Sequence, residues 1–334
     1  MEKVLVVGAQ GVLGSLLARA FAANGWEVTR AGRRPEGGAD FRLLDLADRA
    51  AVEAAVEEAG LIVNTVHHPQ LHLERAVLRN GGTLLDVGEL SPLERAVLRE
   101  EEDGRGGTVV GDVGLSGVCY LALADLLSDY PEADEAHYVL MFSASGSSGR
   151  AGALLGHRLL TESRHHATRK FRLPEPWGSQ RAFEIAPQGP GVLATSIAGS
   201  RLRHYLTMQP KPLRALLGAL NAARLISFLP ASTFTAGTGK VPAEASEEPI
   251  CEWVGVAREG EVLAELTVQG EGYYTMTANA IITFAEALAG RPRSEHGLFG
   301  LEDLIALPEV AAALGRRGIR LAAAGSAIGH PAVS

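Results

Sequence analysis

Val4-Leu5-Val6-Val7-Gly8-Ala9-Gln10-Gly11-Val12-Leu13-Gly14 decides how the rest of this 334-residue chain is read. Four apolar, mostly β-branched residues predict a buried strand, a glycine cluster ends it, and Ser15 to Ala23 predicts a helix that begins at once. In that strand–turn–helix setting a spaced glycine turn marks a dinucleotide site. Gly8 permits the sharp turn, Gly11 lets the backbone come close to a pyrophosphate, and Gly14 lets the helix pack tightly on the strand. The helix start offers free N–H groups and a partial positive charge to phosphate. The expected cofactor contacts here are Gly8, Gln10, Gly11, Val12, Leu13 and Gly14.

The next hundred residues repeat the strand–helix alternation. Trp26 to Ala31 predicts a second strand that ends in Gly32-Arg33-Arg34. Sites that prefer NAD place a carboxylate at this end to hold the ribose 2′-hydroxyl. Here a glycine and two guanidinium groups stand instead, and guanidinium suits a 2′-phosphate through paired, charge-assisted hydrogen bonds. Arg33 and Arg34 therefore favour NADP(H) over NAD(H). Phe41 to Leu44 predicts a third strand, and Asp45 at its end is a candidate adenine contact, with a helix-capping role for Asp45 or Asp48 as the competing reading. Leu61-Ile62-Val63-Asn64-Thr65-Val66 predicts a buried fourth strand. A doubly wound sheet brings its crevice to the nicotinamide side at this point. Thr65 and Val66 are thus expected against the cofactor, with His67 and His68 placed to touch substrate or move a proton. No carboxylate or thiolate joins His67, His68 and His72 in a metal spacing. Thr83 to Val87 and Thr108 to Val110 predict two more strands. They place Asp86, Glu89 and Asp112 around the same crevice, Glu89 as a cofactor contact and Asp112 as a candidate catalytic acid. Six alternating strands and helices with short connections are the signature of a parallel, doubly wound sheet.

Composition sets the outer bounds. A chain of this length exceeds one usual core, so two domains are expected. With 46% apolar and 21% charged residues it has material for both. A formal charge of −8 argues against nucleic acid as a partner. Cys119 and Cys251 lie far apart and form no metal or disulfide pattern. The first strand begins after three residues, leaving no room for a signal peptide, and no apolar run reaches the length of a membrane span. A cytoplasmic location is expected. Leu213 to Leu229 comes nearest to a span, but Arg214 and Arg224 interrupt it, and residues 213, 216, 217 and 220 fit one face of a core helix. Membrane contact by residues 213–234 is left open.

After Gly111 the pattern changes. Ala136 to Phe142 predicts a strand and Arg150 to Lys170 a long helix, with Ser143 to Gly149 between them. Ser145 and Ser147 are candidate substrate contacts and Arg150 a candidate clamp for a carboxylate. The competing reading is a Ser/Gly turn that caps the helix. Ala182 to Met208 predicts antiparallel strands, and Cys251 to Ala257 with Glu261 to Gln269 predicts a hairpin turned by Arg258-Glu259-Gly260. Its core face would carry Val254, Val256, Val262, Ala264, Leu266 and Val268. Thr275 to Ala289 predicts a late helix.

Several pieces, in order, resemble the saccharopine dehydrogenase-like NAD(P)-binding reductase family. They are the opening glycine turn, Asp86-Val87-Gly88-Glu89, Gly111-Asp112-Val113-Gly114, Ser145-Gly146-Ser147-Ser148, and Gly272-Tyr273-Tyr274 with Thr277-Ala278. Val113 stands where that family usually has proline, and Ser-Gly-Ser-Ser where it has Ser-Gly-Gly-Thr. The resemblance implies a Rossmann-type doubly wound parallel sheet and a second α+β domain with a mainly antiparallel sheet. Residues 1–128 would form the dinucleotide-binding domain, with 275–334 returning to it, and 129–274 the substrate and dimerisation domain. It also implies NAD(P)-linked redox chemistry on a small C=N, C=O or C=C substrate, in a homodimer. A short-chain dehydrogenase of the catalytic type needs Tyr-x-x-x-Lys, and no tyrosine here has a lysine four positions on. The rival from another class is a non-catalytic NADP(H)-binding regulator or scaffold.

Overall fold

Val4 to Val7 are at most 3% exposed because both faces of their strand are covered, as in parallel sheets with helices on each side. The computed structural model describes residues 2–88, 90–101, 106–143, 149–161, 164–185, 201–209, 211–235, 248–289, 291 and 295–323. The chain divides into two compact units. The first draws its described residues from Met1–Leu121 and Thr277–Arg317, and the second from Ala122–Pro187, Ile197–Met276 and Gly318–Ser334.

In the first unit β1 (Lys3–Val7), β2 (Glu27–Gly32), β3 (Phe41–Leu43), β4 (Leu61–Asn64), β5 (Thr83–Asp86), β6 (Thr108–Val110) and β13 (Gly297–Phe299) make a seven-stranded sheet in the order β13-β6-β5-β4-β1-β2-β3. Every pairing is parallel. This is the doubly wound order, with its reversal between β1 and β4. The connecting helices are α1 (Val12–Ala23), α2 (Arg49–Glu58), α3 (His72–Asn80) and α4 (Pro92–Glu100). Their starts have local causes. The Asp48 carboxylate accepts from the Ala51 N–H and caps α2, while Ser91 and Glu94 close a reciprocal capping box on α4, with Pro92 at its first turn. Leu5, Val7, Ile62 and Leu84 pack against Val52, Val56, Leu73, Ala76 and Val77 of the helices.

The second unit holds β7 (Glu135–Ser143), β8 (Thr168–Arg172), β9 (Ser179–Ile185), β10 (Arg201–Gln209), β11 (Pro249–Arg258), β12 (Glu261–Glu271) and β14 (Arg320–Ala323) in the order β14-β12-β11-β7-β10-β9-β8. Only β7 with β10 is parallel, so the sheet is mixed and mainly antiparallel. Leu159 and Leu160 of α6 (Gly149–Thr161) and Leu217 of α7 (Lys211–Ala222) pack with Phe183, Leu206 and Met208. On other strand positions Val139, Tyr205, Trp253 and Phe171 form a second cluster. Two longer helices, α5 (Leu115–Asp129) and α8 (Tyr273–Ala289), follow β6 and β12 in the chain, and α9 (Leu307–Arg316) precedes β14. Among the described residues no helix is long and apolar enough to cross a membrane.

The structure departs from the sequence expectations at four places. The stretch 275–334, expected to return to the first domain, does so only as far as Arg317, and β14 joins the second sheet beside β12. The helix expected over 150–170 ends at Thr161, and Thr168–Arg172 is a strand. Tertiary bonds override the helical pattern there. The buried His166 ring sits 2.8 Å from the carbonyl oxygens of both Leu160 and Glu184. The Asn221 side chain also brackets the His166 backbone, accepting from its N–H at 2.8 Å and donating to its carbonyl at 2.9 Å. In the hairpin, Val262 is 45% exposed and only Val268 of its strand's expected apolar set is fully buried. The ladder shifts register between Val256 and Ala257, which pairs Val262 with Ala257 and takes it off the face that Ala264 shares with Val256. On α7 Leu217 is buried but Leu216 is 53% exposed, so the apolar face is narrower than expected.

Candidate cofactor crevice

Parallel pairing puts the C-terminal ends of β1 to β6 along one edge of the first sheet, and the candidate residues of this unit follow those ends. After β1 the chain turns at Gly8, whose φ is +82°. Its N–H and that of Ala9 both donate to the Ala31 carbonyl at 3.0 Å, which ties the turn to the end of β2. The Thr65 hydroxyl and N–H donate to the Val7 carbonyl at 2.9 and 3.1 Å, tying the turn to the end of β4 as well. Gly11 then caps α1 without any side-chain bond, and no acidic residue lies in the first turn. The first N–H groups of this helix, and its partial positive charge, are therefore left for a ligand. Gly11, Val12 and the half-buried Leu13 border the opening. An exposed, uncapped helix start behind a glycine turn fits a diphosphate.

At the end of β2 lie Gly32, Arg33 and Arg34, both arginines exposed. The two acids of the following loop are already engaged: Arg30 holds Asp40 at 2.7 Å and also pairs with Glu36. Among the described residues neither Arg33 nor Arg34 makes an ion pair. The Gln10 side chain reaches across from the glycine turn and bonds the Arg34 backbone. Asp45, after β3, accepts from the Ala47 N–H at 3.0 Å. Asp48, not Asp45, caps the helix that follows.

At the end of β4 the exposed Val66 donates its N–H to the Asn64 side chain at 3.0 Å. The His67 ring lies 2.9 Å from the Glu94 carboxylate, both partly exposed. His68 is half-buried, and its Nδ1 makes no hydrogen bond among the described residues. Asp86, at the end of β5, accepts from the Asn64 amide at 3.1 Å and the Gly88 N–H at 2.9 Å, so it ties β4, β5 and the next loop together. Glu74 of α3 is buried near it, and each carboxyl group raises the cost of ionising the other. Burial pushes Glu74 up to about 7. Burial, then the charge of Glu74, holds Asp86 well above the carboxylate range. Asp112, beyond β6, is 6% exposed and sits at a φ of +55°. It receives the buried Arg95 guanidinium at 2.6 Å, and burial raises its pKa in spite of that partner. Asp112 thus anchors α4 to the end of β6.

The first-unit candidates that the structure describes follow the strand ends along this edge: Gly8, Gln10, Gly11, Val12, Leu13, Gly14, Arg33, Arg34, Asp45, Thr65, Val66, His67 and His68, with Asp112 buried behind them against Arg95. Glu89, Ser145 and Ser147, and the side chain of Arg150, lie outside the described residues. Sequence reasoning missed Asn64, Glu74, Glu94 and Arg95. Glu74 alone carried a signal, since it stands among the apolar residues Leu73, Ala76 and Val77 that α3 buries.

Residues 4–81 match the NAD dependent epimerase/dehydratase family. A search of curated proteins by sequence finds no match. Among solved structures the chain is similar to apo saccharopine dehydrogenase (L-Glu forming) from Saccharomyces cerevisiae, with 10% identity, a TM-score of 0.59, and coverage of 97% of this chain and 100% of that one. It is also similar to an amine dehydrogenase from Mycobacterium smegmatis, with 12% identity, a TM-score of 0.48, and coverage of 92% of this chain and 96% of that one. The family match places a nicotinamide-nucleotide-binding fold at the opening of the chain, and the first likeness extends to both units. Together they support, at the level of fold, the saccharopine dehydrogenase-like resemblance drawn from the glycine turns.

Proposed function

We propose that the chain is an NADP(H)-dependent oxidoreductase of the saccharopine dehydrogenase-like type, moving a hydride to or from a small C=N, C=O or C=C substrate. The observation that carries the reading is the uncapped start of α1 behind Gly8 to Gly11, at the sheet's point of reversal, beside a strand end that bears Arg33 and Arg34 in place of a carboxylate. The family match over 4–81 and the saccharopine dehydrogenase fold support it.

The residues then divide the work. Backbone N–H groups of residues 12 to 14 hold the diphosphate, Gly8, Gly11 and Gly14 let it approach the backbone, and Val12 and Leu13 border it. Arg33 and Arg34 take the 2′-phosphate, Asp45 stands at the adenine end, and Thr65 and Val66 line the path toward the nicotinamide end. A nicotinamide cofactor supplies the hydride chemistry, so the protein's task is mainly to hold and orient. His67 and His68 are assigned the proton, because they open onto the crevice where the buried acids behind them do not. Ser145, Ser147 and Arg150 are proposed substrate contacts and Glu89 a cofactor contact. The proposal includes a homodimer, from the resemblance, and a cytoplasmic location, acting on small molecules; the charge of −8 supports the exclusion of nucleic acid.

The test is titration of the purified protein with NADPH and NADH, followed by nicotinamide fluorescence, then a screen of imines, enoyl esters and keto acids. Tight NADPH binding, with Arg33→Ala/Arg34→Ala losing NADPH far more than NADH, supports the reading. Equal loss of both removes the 2′-phosphate role. Binding without turnover on any of these substrate classes favours the non-catalytic NADP(H)-binding regulator.

A further inference from the structure

We propose that Gln10 is a positioning residue that selects 2′-phosphorylated nucleotide, by latching the segment that carries Arg33 and Arg34 to the glycine turn; the inference rests on the 2′-phosphate reading above. The Gln10 carboxamide leaves the turn after β1 and pairs with one backbone unit across the crevice. Its Nε2 donates to the Arg34 carbonyl at 2.9 Å, and its Oε1 accepts from the Arg34 N–H at 3.3 Å. A side-chain amide that pairs with both backbone groups of one residue fixes that residue as a neighbouring strand would, here just past the last residue of β2.

Gly32 makes the latch possible. A Cβ on Gly32 would lie 2.6 Å from Gln10 Oε1 and 2.9 Å from its Cδ. Any side chain at position 32 evicts the carboxamide, including the carboxylate by which NAD-preferring sites hold the 2′-hydroxyl. The two devices exclude each other: a carboxylate at 32, or Gln10 laid over the strand end. Arg30 completes the arrangement from within β2, because it engages Asp40 and Glu36 and keeps both acids off the neighbouring guanidinium groups. An exposed arginine on an unlatched segment spends its attraction on being ordered at binding. A latched one does not.

The experiment measures the affinity of the purified protein for 2′-phospho-ADP-ribose and for ADP-ribose by calorimetry. Both carry the diphosphate, and only the first carries the 2′-phosphate. Wild type is expected to prefer 2′-phospho-ADP-ribose. Gln10→Ala should weaken 2′-phospho-ADP-ribose about tenfold more than it weakens ADP-ribose, the scale of one or two lost hydrogen bonds. Gly32→Asp should remove the same preference, and adding Gln10→Ala to it should change nothing further, since the latch is already displaced. An equal loss of both nucleotides in Gln10→Ala, or no loss of either, overturns the latch while the cofactor reading stands. A wild type indifferent to the 2′-phosphate overturns the cofactor reading itself, and the latch with it.

Discussion

A Cβ on Gly14 would lie 2.2 Å from the carbonyl oxygen of Gly8. Helix α1 and the turn after β1 meet there through bare backbone, and neither side has a flexible group that can yield. Gly14→Ala is therefore expected to push α1 off the strand, at a cost of about 1–3 kcal/mol. Gly11 is different. It is exposed, its φ is −83°, and the nearest atom to a Cβ is the Gly8 oxygen at 3.2 Å. Gly11→Val should keep the thermal midpoint close to wild type and abolish binding of NADPH and NADH alike. Melting curves and nucleotide fluorescence on the two variants separate packing from ligand approach, and a Gly11→Val protein with full affinity ends the diphosphate assignment.

The Glu74–Asp86 pair links stability to pH with a definite sign. Glu74 is raised from 4.5 to about 7 by burial, so folding takes up a proton between those values. The contribution is full below the lower value. It falls as pH rises through the window, by up to about 1.4 kcal/mol per unit for one proton, and then levels off. Groups facing the pair are Asn64, the Gly88 N–H, His67, Glu94 and Asp112. Glu74→Gln removes this titration, so the difference in urea midpoint between wild type and variant should drift in the variant's favour as pH rises. A difference that stays flat between about pH 5 and pH 8 shows that burial does not raise Glu74.

Arg95 and Asp112 are 4% and 5% exposed in their side chains and 2.6 Å apart. Removing Arg95 leaves the Asp112 carboxylate buried without its guanidinium. Arg95→Met alone should cost about 3–5 kcal/mol, and Arg95→Met with Asp112→Asn much less than the sum of the two changes. Asparagine is chosen because it tolerates the left-handed backbone that Asp112 adopts. Additive losses in chemical denaturation would show that the pair is not the anchor of α4.

What the sequence made legible was the first sheet. Parallel strands covered on both faces read as short apolar runs, and the glycine turn after Val7 gave the direction of the crevice. Gly-Leu-Phe at 297–299 is too short to announce a strand, yet it pairs with β6 because that edge was otherwise open. The crevice edge was legible for the same reason as the sheet, since parallel strands deliver their C-terminal ends to one place. Its supports were not. Glu94-Arg95 reads as an ordinary surface pair on a helix, and only the fold shows that Arg95 turns inward to Asp112 while Glu94 stays at the rim beside His67. Gln10 was placed at the cofactor by its position in the turn, but its hold on Arg34 spans 24 residues and has no local pattern.

The β11–β12 hairpin carries the last expectation. Its two turn residues, Glu259 and Gly260, have φ values of +52° and +86°, the signature of a tight primed turn whose twist matches the strands on either side. Glycine accepts that backbone freely, whereas glutamate pays a steric cost for it. What holds Glu259 is its N–H, 3.1 Å from both carboxylate oxygens of Asp134. That bond belongs to the backbone and survives any change of side chain other than proline. Glu259→Asn should therefore raise the unfolding midpoint, by about 0.5–1 kcal/mol in stability, because asparagine enters the left-handed region more easily and keeps the N–H in place. Gly260→Val should lower it by more, since a β-branched residue is strained at that φ. Asp134→Ala serves as the control: it should lower the midpoint in the wild type and in Glu259→Asn by the same amount. An asparagine variant less stable than wild type would mean that the Glu259 side chain, and not its backbone, holds the turn.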